Sequence, residues 1–382
     1  MEVLLKEVFE EDFWIMPQTP QYLESGVPYI TSKNIKKGKI DFGNVNYISE
    51  EDYQAISKNR PIKKDDILIS MIGTLGEAAV VKLEDGKFYG QNMFLVRLDK
   101  HKIYDRYFLN YFNSNKVKHD LERSQNQSTQ RYLKANHIED LIIPLPSLEA
   151  QRFIAKILDS LSGVVAKRQK ELEELDNLIK SRFVEMFGDP VSNQMGWNVV
   201  SCKEMASKIG SGATPKGGRE SYGTEGISLI RSMNVYNNRF EYKDLAYITD
   251  EQAEKLDNVT IEENDVLLNI TGASVARCCV VPKDLLPARV NQHVSIIRCK
   301  PEILSVFISY MFTDTNYQKL LWSIATSGGA TREAITKQQI EELQLIVPPI
   351  ELQERFAEFV TQVDKLKFMN LNQKYIMQKR GE

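Results

Sequence analysis

Pro146-Ser147-Leu148-Glu149-Ala150-Gln151 opens the longest periodic stretch of this 382-residue chain, and Pro348-Pro349-Ile350-Glu351-Leu352-Gln353 repeats it 202 positions later. Proline cannot lie inside a helix but suits its start, and Glu149 and Glu351 fall in the first turn, where the helix dipole favours a carboxylate. From Leu148 to Phe187 apolar residues recur at three-and-four spacing through Phe153, Ile154, Ile157, Leu161, Val164, Leu172, Leu175, Ile179 and Phe183. This predicts a helix roughly 60 Å long at 1.5 Å per residue. One small domain cannot cover that length, so a long partner is needed. Leu352, Phe356, Phe359, Val360, Val363, Leu366 and Met369 continue the same seam in the second copy. The two helices are therefore expected to pair as an antiparallel coiled coil that separates two domains.

Working outward from the helix starts, the whole chain is duplicated. Ile30-Thr31-Ser32-Lys33-Asn34-Ile35 returns as Ile230-Arg231-Ser232-Met233-Asn234-Val235, displaced by 200. Asp66 to Gly73 returns as Asp265 to Gly272, Gln91-Asn92 as Asn291-Gln292, and Thr129 to Leu133 as Thr331 to Ile335. Five collinear matches at nearly one displacement require an internal repeat. In each copy Gly- and Pro-bearing loops punctuate short β-rich runs: 65–71, 78–81 and 94–98 in the first, 265–270, 275–281 and 294–298 in the second. An aromatic-rich helical stretch follows, 104–113 or 306–317. The expected fold class is α+β: globular domains over 1–147 and 190–348, a central helix over 148–189 and a C-terminal helix over 349–382, related by a pseudo-two-fold duplication.

Composition narrows the function. The chain is 42% hydrophobic and 26% charged, with a net charge of −3, so a protein held to polyanions by bulk charge is excluded and any nucleic-acid contact must come from local cations. None of the four segments is strongly basic. Four cysteines without a Cys-x-x-Cys pair support neither a disulfide scaffold nor a zinc site. With charges already in Met1 to Glu10 and no long apolar run, the expected location is the cytoplasm, without membrane contact.

Ser181-Arg182-Phe183-Val184-Glu185-Met186-Phe187-Gly188-Asp189-Pro190, followed by Trp197, resembles the end of the central helix in DNA-specificity subunits of type I restriction-modification systems. The Pro-x-(Leu/Ile)-x-x-Gln helix starts and the Thr214-Pro215 to Asn234-Val235 pattern are also similar to that family, and the resemblance covers the whole chain. It implies two target-recognition domains, each reading half of a split double-stranded DNA site. It also implies helices that set the spacing and dock two methyltransferase (modification) subunits, through which restriction/translocase subunits join. By the same resemblance no cofactor belongs to this chain; S-adenosylmethionine, ATP and Mg are expected in the partners. The first copy departs from the pattern in lacking the Trp197 lead-in, and the last helix in lacking a Phe-Gly-Asp-Pro ending.

Catalytic readings find little support. The Asn-Pro-Pro-aromatic string of adenine methyltransferases is absent, and the glycine-rich run from Gly212 continues into Arg219 without a phosphate-binding lysine. Asp66 with Asp85-Gly86-Lys87 imitates the acid…acid-x-Lys order of metal-dependent nucleases, but Asp-Gly-Lys is also ordinary hairpin chemistry. DNA recognition calls for cations toward phosphates and amide or guanidinium groups toward bases. The candidates in the first copy are Lys33, Asn34, Lys36, Lys37 and Lys39, then the polar run containing Arg123, Gln125, Asn126, Gln127, Thr129, Gln130 and Arg131. In the second they are Arg231, Ser232, Asn234, Asn238, Arg239, Ser327, Thr331 and Arg332. The reading is a non-catalytic specificity subunit whose two readers differ, giving an asymmetric bipartite site. The alternatives are a stand-alone duplicated DNA-binding regulator and, behind it, the metal-dependent nuclease. A conspicuous apolar surface left on the helices would favour docking over the regulator.

Overall fold

Ile67–Ser70 is an unbroken buried run, so both of its faces are covered. Side chains alternate across a strand. Accordingly Ile67 and Ile69 join one core with Phe94, Val96 and Phe108, while Leu68 joins a second with Leu95, Tyr29 and Tyr89. The same division recurs 199 residues on, with Val266 and Leu268 in one core and Leu267 in the other. The coordinates are a computed structural model that describes residues 1–10, 14–15, 20–36, 38–71, 76–125, 133–215, 218, 222–327 and 333–379, without the side chains of 14–15, 124–125 and 370–379.

The chain divides into two compact units, Met1–Ala166 and Lys167–Glu382. In the first, Ile67–Ser70 lies between Met93–Val96 and Ala78–Val80, with Trp14–Ile15 beside Met93–Val96, all antiparallel. A second sheet has Val27–Ile30 antiparallel to Asn46–Ile48 and parallel to Tyr89–Gly90. Glu2–Leu4 pairs with Ile142–Pro144. The second unit repeats each arrangement. Ala206–Ser211, Val294–Cys299, Val266–Asn269 and Cys278–Val280 form one sheet in that order, Ile227–Ile230 lies between Ala246–Ile248 and Ala288–Val290, and Asn198–Ser201 pairs with Gln344–Val347. Gly26 and Gly226 enter the second sheets with φ of +148° and +124°, where a Cβ would lie 2.3 and 2.5 Å from the carbonyl oxygens of Ile48 and Ile248. Only glycine fits there.

Strands form within each expected run, except that 275–277 is a turn ahead of Cys278–Val280. The aromatic stretch 306–317, read as one helix, is two, Ser305–Phe312 and Thr315–Thr326. Asp314 breaks it, because its carboxylate accepts the N–H groups of Asn316 and Tyr317 and caps the second helix. The first unit likewise has helices Asp105–Phe112 and Asn115–Gln125.

The central helix is a single element of 40 residues, Leu148–Phe187, and the terminal helix runs Ile350–Lys379. Each is rooted by a fully buried glutamine. The Tyr104 N–H donates to Gln151 Oε1 at 2.8 Å, and Gln151 Nε2 donates to the carbonyls of Lys102 and Pro146, both at 2.9 Å. Gln353 repeats this with the Leu304 N–H at 2.8 Å and the carbonyls of Glu302 and Pro348 at 3.3 and 2.9 Å. The central helix stops at Gly188, whose φ of +73° only glycine adopts freely, and Trp197 Nε1 donates to the Phe187 carbonyl at 2.9 Å. The Phe-Gly-Asp-Pro…Trp motif is thus a helix cap.

Within the second unit the two helices run antiparallel. Phe183 meets Phe356 at 5.5 Å between ring centroids, and further along Asp176 meets Lys367 at 2.7 Å. Phe183, Phe187, Phe307 and Phe356 form one aromatic cluster around their crossing. Replacing Gln353 by Leu keeps the volume but strands one N–H and two carbonyls. A loss of about 1–3 kcal/mol is expected, read as a lower urea midpoint of the full chain. An unchanged midpoint would show that these bonds do not root the helix.

Candidate nucleic-acid interface

A short hairpin projects from each unit, Ile35–Lys36 against Lys39–Ile40 and Val235–Tyr236 against Arg239–Phe240. It is held from below by an asparagine. Asn34 is buried; it accepts the Thr31 N–H at 2.9 Å and donates to the carbonyls of Asp41 and Asn44 at 2.8 and 3.0 Å. Asn234 does the same with the Arg231 N–H and the carbonyls of Glu241 and Lys243. Both were base-reading candidates, and the structure turns both inward, with all their hydrogen-bonding capacity toward the chain in use. Asn238 is also anchored, donating to Thr313 Oγ1 at 2.6 Å and accepting from Ser309 Oγ at 2.7 Å.

The other candidates fall in several places. Lys33, Lys36, Lys39, Arg123 and Arg239 are exposed. Lys36 pairs with Asp41 at 2.8 Å. Arg123 and Gln125 lie in the helix Asn115–Gln125 instead of a loop. Arg231 packs over Tyr222 at 5.4 Å and donates to the Asp244 carbonyl. Ser232 is half-buried at the base of its hairpin, where its carbonyl accepts from Asn269. Ser327 caps the end of Thr315–Thr326 and donates to the Ile324 carbonyl at 2.8 Å. Lys37, Asn126, Gln127, Thr129, Gln130, Arg131, Thr331 and Arg332 lie outside the described residues.

Several surface groups near the second hairpin escape a reading by sequence runs. Tyr236 faces Arg239 across the hairpin, and the Arg239 guanidinium lies 4.8 Å from its ring centroid. Arg277 lies 4.5 Å from the same ring. Gln318 donates to Asn237 Oδ1 and to the Ala276 carbonyl, both at 3.1 Å. In the first unit Gly76 has φ +70°, matching Ala276 at +68°, but Glu77 stands where Arg277 does and pairs with Lys118 at 2.9 Å. Equivalent positions 200 residues apart thus carry opposite charge, a signal already present in the repeat. Nearby His293 Nδ1 contacts Thr271 Oγ1 at 2.6 Å, and Gln292 contacts both His293 and Thr214. The Asn291-Gln292-His293 stretch is thus bonded into its turn, with Asn291 Oδ1 accepting the His293 N–H at 3.0 Å.

The nuclease constellation does not form. Asp66 is 1% exposed and held bidentately by Arg97 at 2.8 and 2.9 Å. Asp265 and Arg298 repeat the pair at the same distances. Asp85 accepts the Lys82 N–H, and Lys87 pairs with Glu50. Among the described residues no group of three or more His, Cys, Asp or Glu is placed to hold a metal. Burial pushes the thiols of Cys202 and Cys279 up to about 12 and that of Cys299 to about 11, and raises Cys278 well above its ordinary value. They stay protonated and poorly nucleophilic.

Comparison with known proteins gives a consistent result. The profile of the type I restriction modification DNA specificity domain matches residues 2–177 and again 194–376. The chain is 24% identical over 362 residues to the type I restriction enzyme MjaVIII specificity subunit of Methanocaldococcus jannaschii, covering 90% of this chain and 80% of that protein. It is 21% identical over 370 residues to the EcoBI specificity subunit of Escherichia coli, covering 89% and 73%. Its fold resembles that of the S subunit of a type I restriction-modification system from M. genitalium, with a TM-score of 0.55 at 12% identity over 99% of this chain and 92% of that one. A chain from a structure on assembly and conformational transition of a type I R-M system gives 0.56 at 18% identity, over 99% and 94%.

Two outcomes follow from the buried groups. Asp66→Ala, which leaves Arg97 uncompensated, should destabilise the protein by about 3–5 kcal/mol, seen in thermal or urea unfolding. A stable variant would leave Asp66 free for another role. In native protein at pH 8 the buried thiols of Cys202, Cys278 and Cys279 should react with a disulfide reagent on the order of a hundredfold more slowly than after denaturation, and a fast reaction at any of the three would contradict their burial.

Proposed function

The chain belongs to the type I restriction-modification DNA specificity family, and from that premise we propose that its two units read the two halves of a bipartite, asymmetric double-stranded DNA site. The observation that carries this reading is the contrast between scaffold and surface. The buried clamps recur residue for residue: Asn34 and Asn234, Asp66–Arg97 and Asp265–Arg298, Gln151 and Gln353. The solvent-facing positions do not. The exposed Lys36 and Lys39 become Tyr236 and Arg239, and Glu77, buried against Lys118, becomes the half-exposed Arg277. One frame presents two different sets of donors, so the half-sites it reads are unlike. Of the candidates, the exposed Lys33, Lys36, Lys39, Arg123 and Arg239 are the ones available to DNA; Asn34, Asn234 and Asn238 position the loops.

The chain itself is non-catalytic in this reading. It brings two methyltransferase subunits to an adenine in each half-site and, through them, the restriction subunits; S-adenosylmethionine, ATP and Mg act in those partners. The helices supply a docking surface: Phe153 is 66% exposed on the central helix, with Ile157 and Leu158 beside it also exposed. Such apolar groups favour an assembled complex over a stand-alone regulator. No helix among the described residues is long and apolar enough to cross a membrane.

Mapping methylated adenines in cells that carry the complete system tests the reading. A single split motif with unrelated halves is expected, lost when this chain is deleted; a continuous palindrome, or methylation independent of the chain, would refute it. With a net charge of −3, the isolated chain should bind DNA weakly at moderate salt, its partners supplying much of the phosphate grip. Tight binding by the purified chain would contradict that division of labour.

A further inference from the structure

Tyr236, Arg239 and Arg277 form a cluster that the duplicated scaffold does not require, since the first unit pairs the equivalent strands, Ile35–Lys36 and Lys39–Ile40, with Lys36, Lys39 and Glu77 at the corresponding positions. The ring of Tyr236 has guanidinium carbons at 4.8 and 4.5 Å from its centroid, one from the opposite strand of its own hairpin and one from the turn before Cys278–Val280. Stacking on an aromatic face covers one face of each guanidinium and leaves the N–H edges free to donate.

The platform beneath is rigid. The Asn238 N–H donates to the Cys278 carbonyl at 2.8 Å, the Asn238 side chain is fixed by Ser309 and Thr313, and Gln318 ties Asn237 to Ala276. Hairpin, turn and helix are thereby locked together, and both arginines rise from backbone that is already ordered. Little entropy remains to be lost when a ligand is gripped.

Charge points to the ligand. Arg277 makes no ion pair with any described residue, and Arg239 meets only the partly exposed Glu241, at 3.6 Å. Two cations about one ring, with a single carboxylate paired to one of them, leave net positive charge at this place. A neutral base edge would not offset that charge, whereas a phosphate diester carries a full negative charge and accepts guanidinium donors bidentately. In the first unit the corresponding position is Glu77, already neutralised by Lys118.

We propose that Arg239 and Arg277, stacked about Tyr236, are a phosphate clamp that seats the DNA backbone on the second recognition unit, with no such cluster among the described residues of the first. The clamp rests on the DNA-specificity reading above. It grips without reading sequence, because phosphates carry no base identity, and it makes the two half-sites unequal in their dependence on salt.

The test uses the complete complex of this chain with its methyltransferase subunits and a duplex containing the mapped methylation motif. Affinity is measured across a salt series for the wild type, Arg277→Ala, Arg277→Gln, Arg239→Ala and Arg277→Glu. Each neutral substitution should weaken binding about tenfold and make the slope of log affinity against log salt shallower by about one. The methylated motif should stay unchanged. Arg277→Glu, which imports the residue of the first unit, should weaken binding further than either neutral change. Arg277→Gln keeps a polar side chain in the turn and guards against a folding defect in the alanine variant, with melting curves as the control. Unchanged affinity and slope in all of these variants would overturn the clamp. So would a motif relaxed at one base pair, which would make the arginine a base reader. A wild-type complex with no motif-specific binding at all would instead sink the specificity reading and the clamp with it.

Discussion

Everything in this protein hangs on how two long helices are rooted. An amphipathic helix of 40 residues has more apolar stripe than any one unit can cover, so packing alone would let it slide or swing at its base. The buried amide of Gln151 or Gln353 prevents that by directional means: it accepts one backbone N–H from the unit and donates to two carbonyls, one of them in the turn that starts the helix. An amide that cannot find these partners is left unsatisfied in the interior at a cost of about 1–3 kcal/mol. Helix and unit therefore move as one piece at that joint.

The other end of the central helix obeys the same logic with different residues. Gly188 lets the chain reverse, Trp197 satisfies a carbonyl that the helix leaves open, and Phe183 and Phe187 interlock with Phe307 and Phe356. The aromatic cluster supplies area and the two caps supply direction. Between such joints the duplicated units can diverge on their surfaces without disturbing the frame. The change from Glu77–Lys118 to Arg277 and Gln318 sits on the same left-handed turn, with Ala276 accepting a conformation that Gly76 adopts more easily.

How far this was readable beforehand depends on the distance between cause and effect along the chain. The β-rich runs, the helix starts and the helix stop arise from neighbours within a few residues and stand in the sequence as spacing and punctuation, and the repeat shows because these local signals recur in the same order. The break at Asp314 was a local signal too, hidden inside an aromatic run whose apolar rhythm continued across it. The recognition surface was less legible. Asn34 and Asn234 have the chemistry of base readers, and only the return of the chain at Asp41 and Glu241 makes them internal posts. Arg277 carried no local signal at all, since the Tyr236 ring it lies over and the Gln318 that holds the preceding Ala276 come from other elements of the chain.

By itself the amino-acid sequence determined the architecture: a doubled α+β unit with a long helix leaving each copy, because side-chain periodicity, prolines and glycines act on the chain where they stand. Tertiary structure decided which polar side chains face solvent. That choice turns on whether a backbone carbonyl from a distant segment arrives to accept a given amide, and on whether a carboxylate or an aromatic ring arrives beside a given guanidinium. Asp66 became a buried strut because Arg97 reaches it. Arg277, with no described carboxylate in reach, rests on Tyr236 instead.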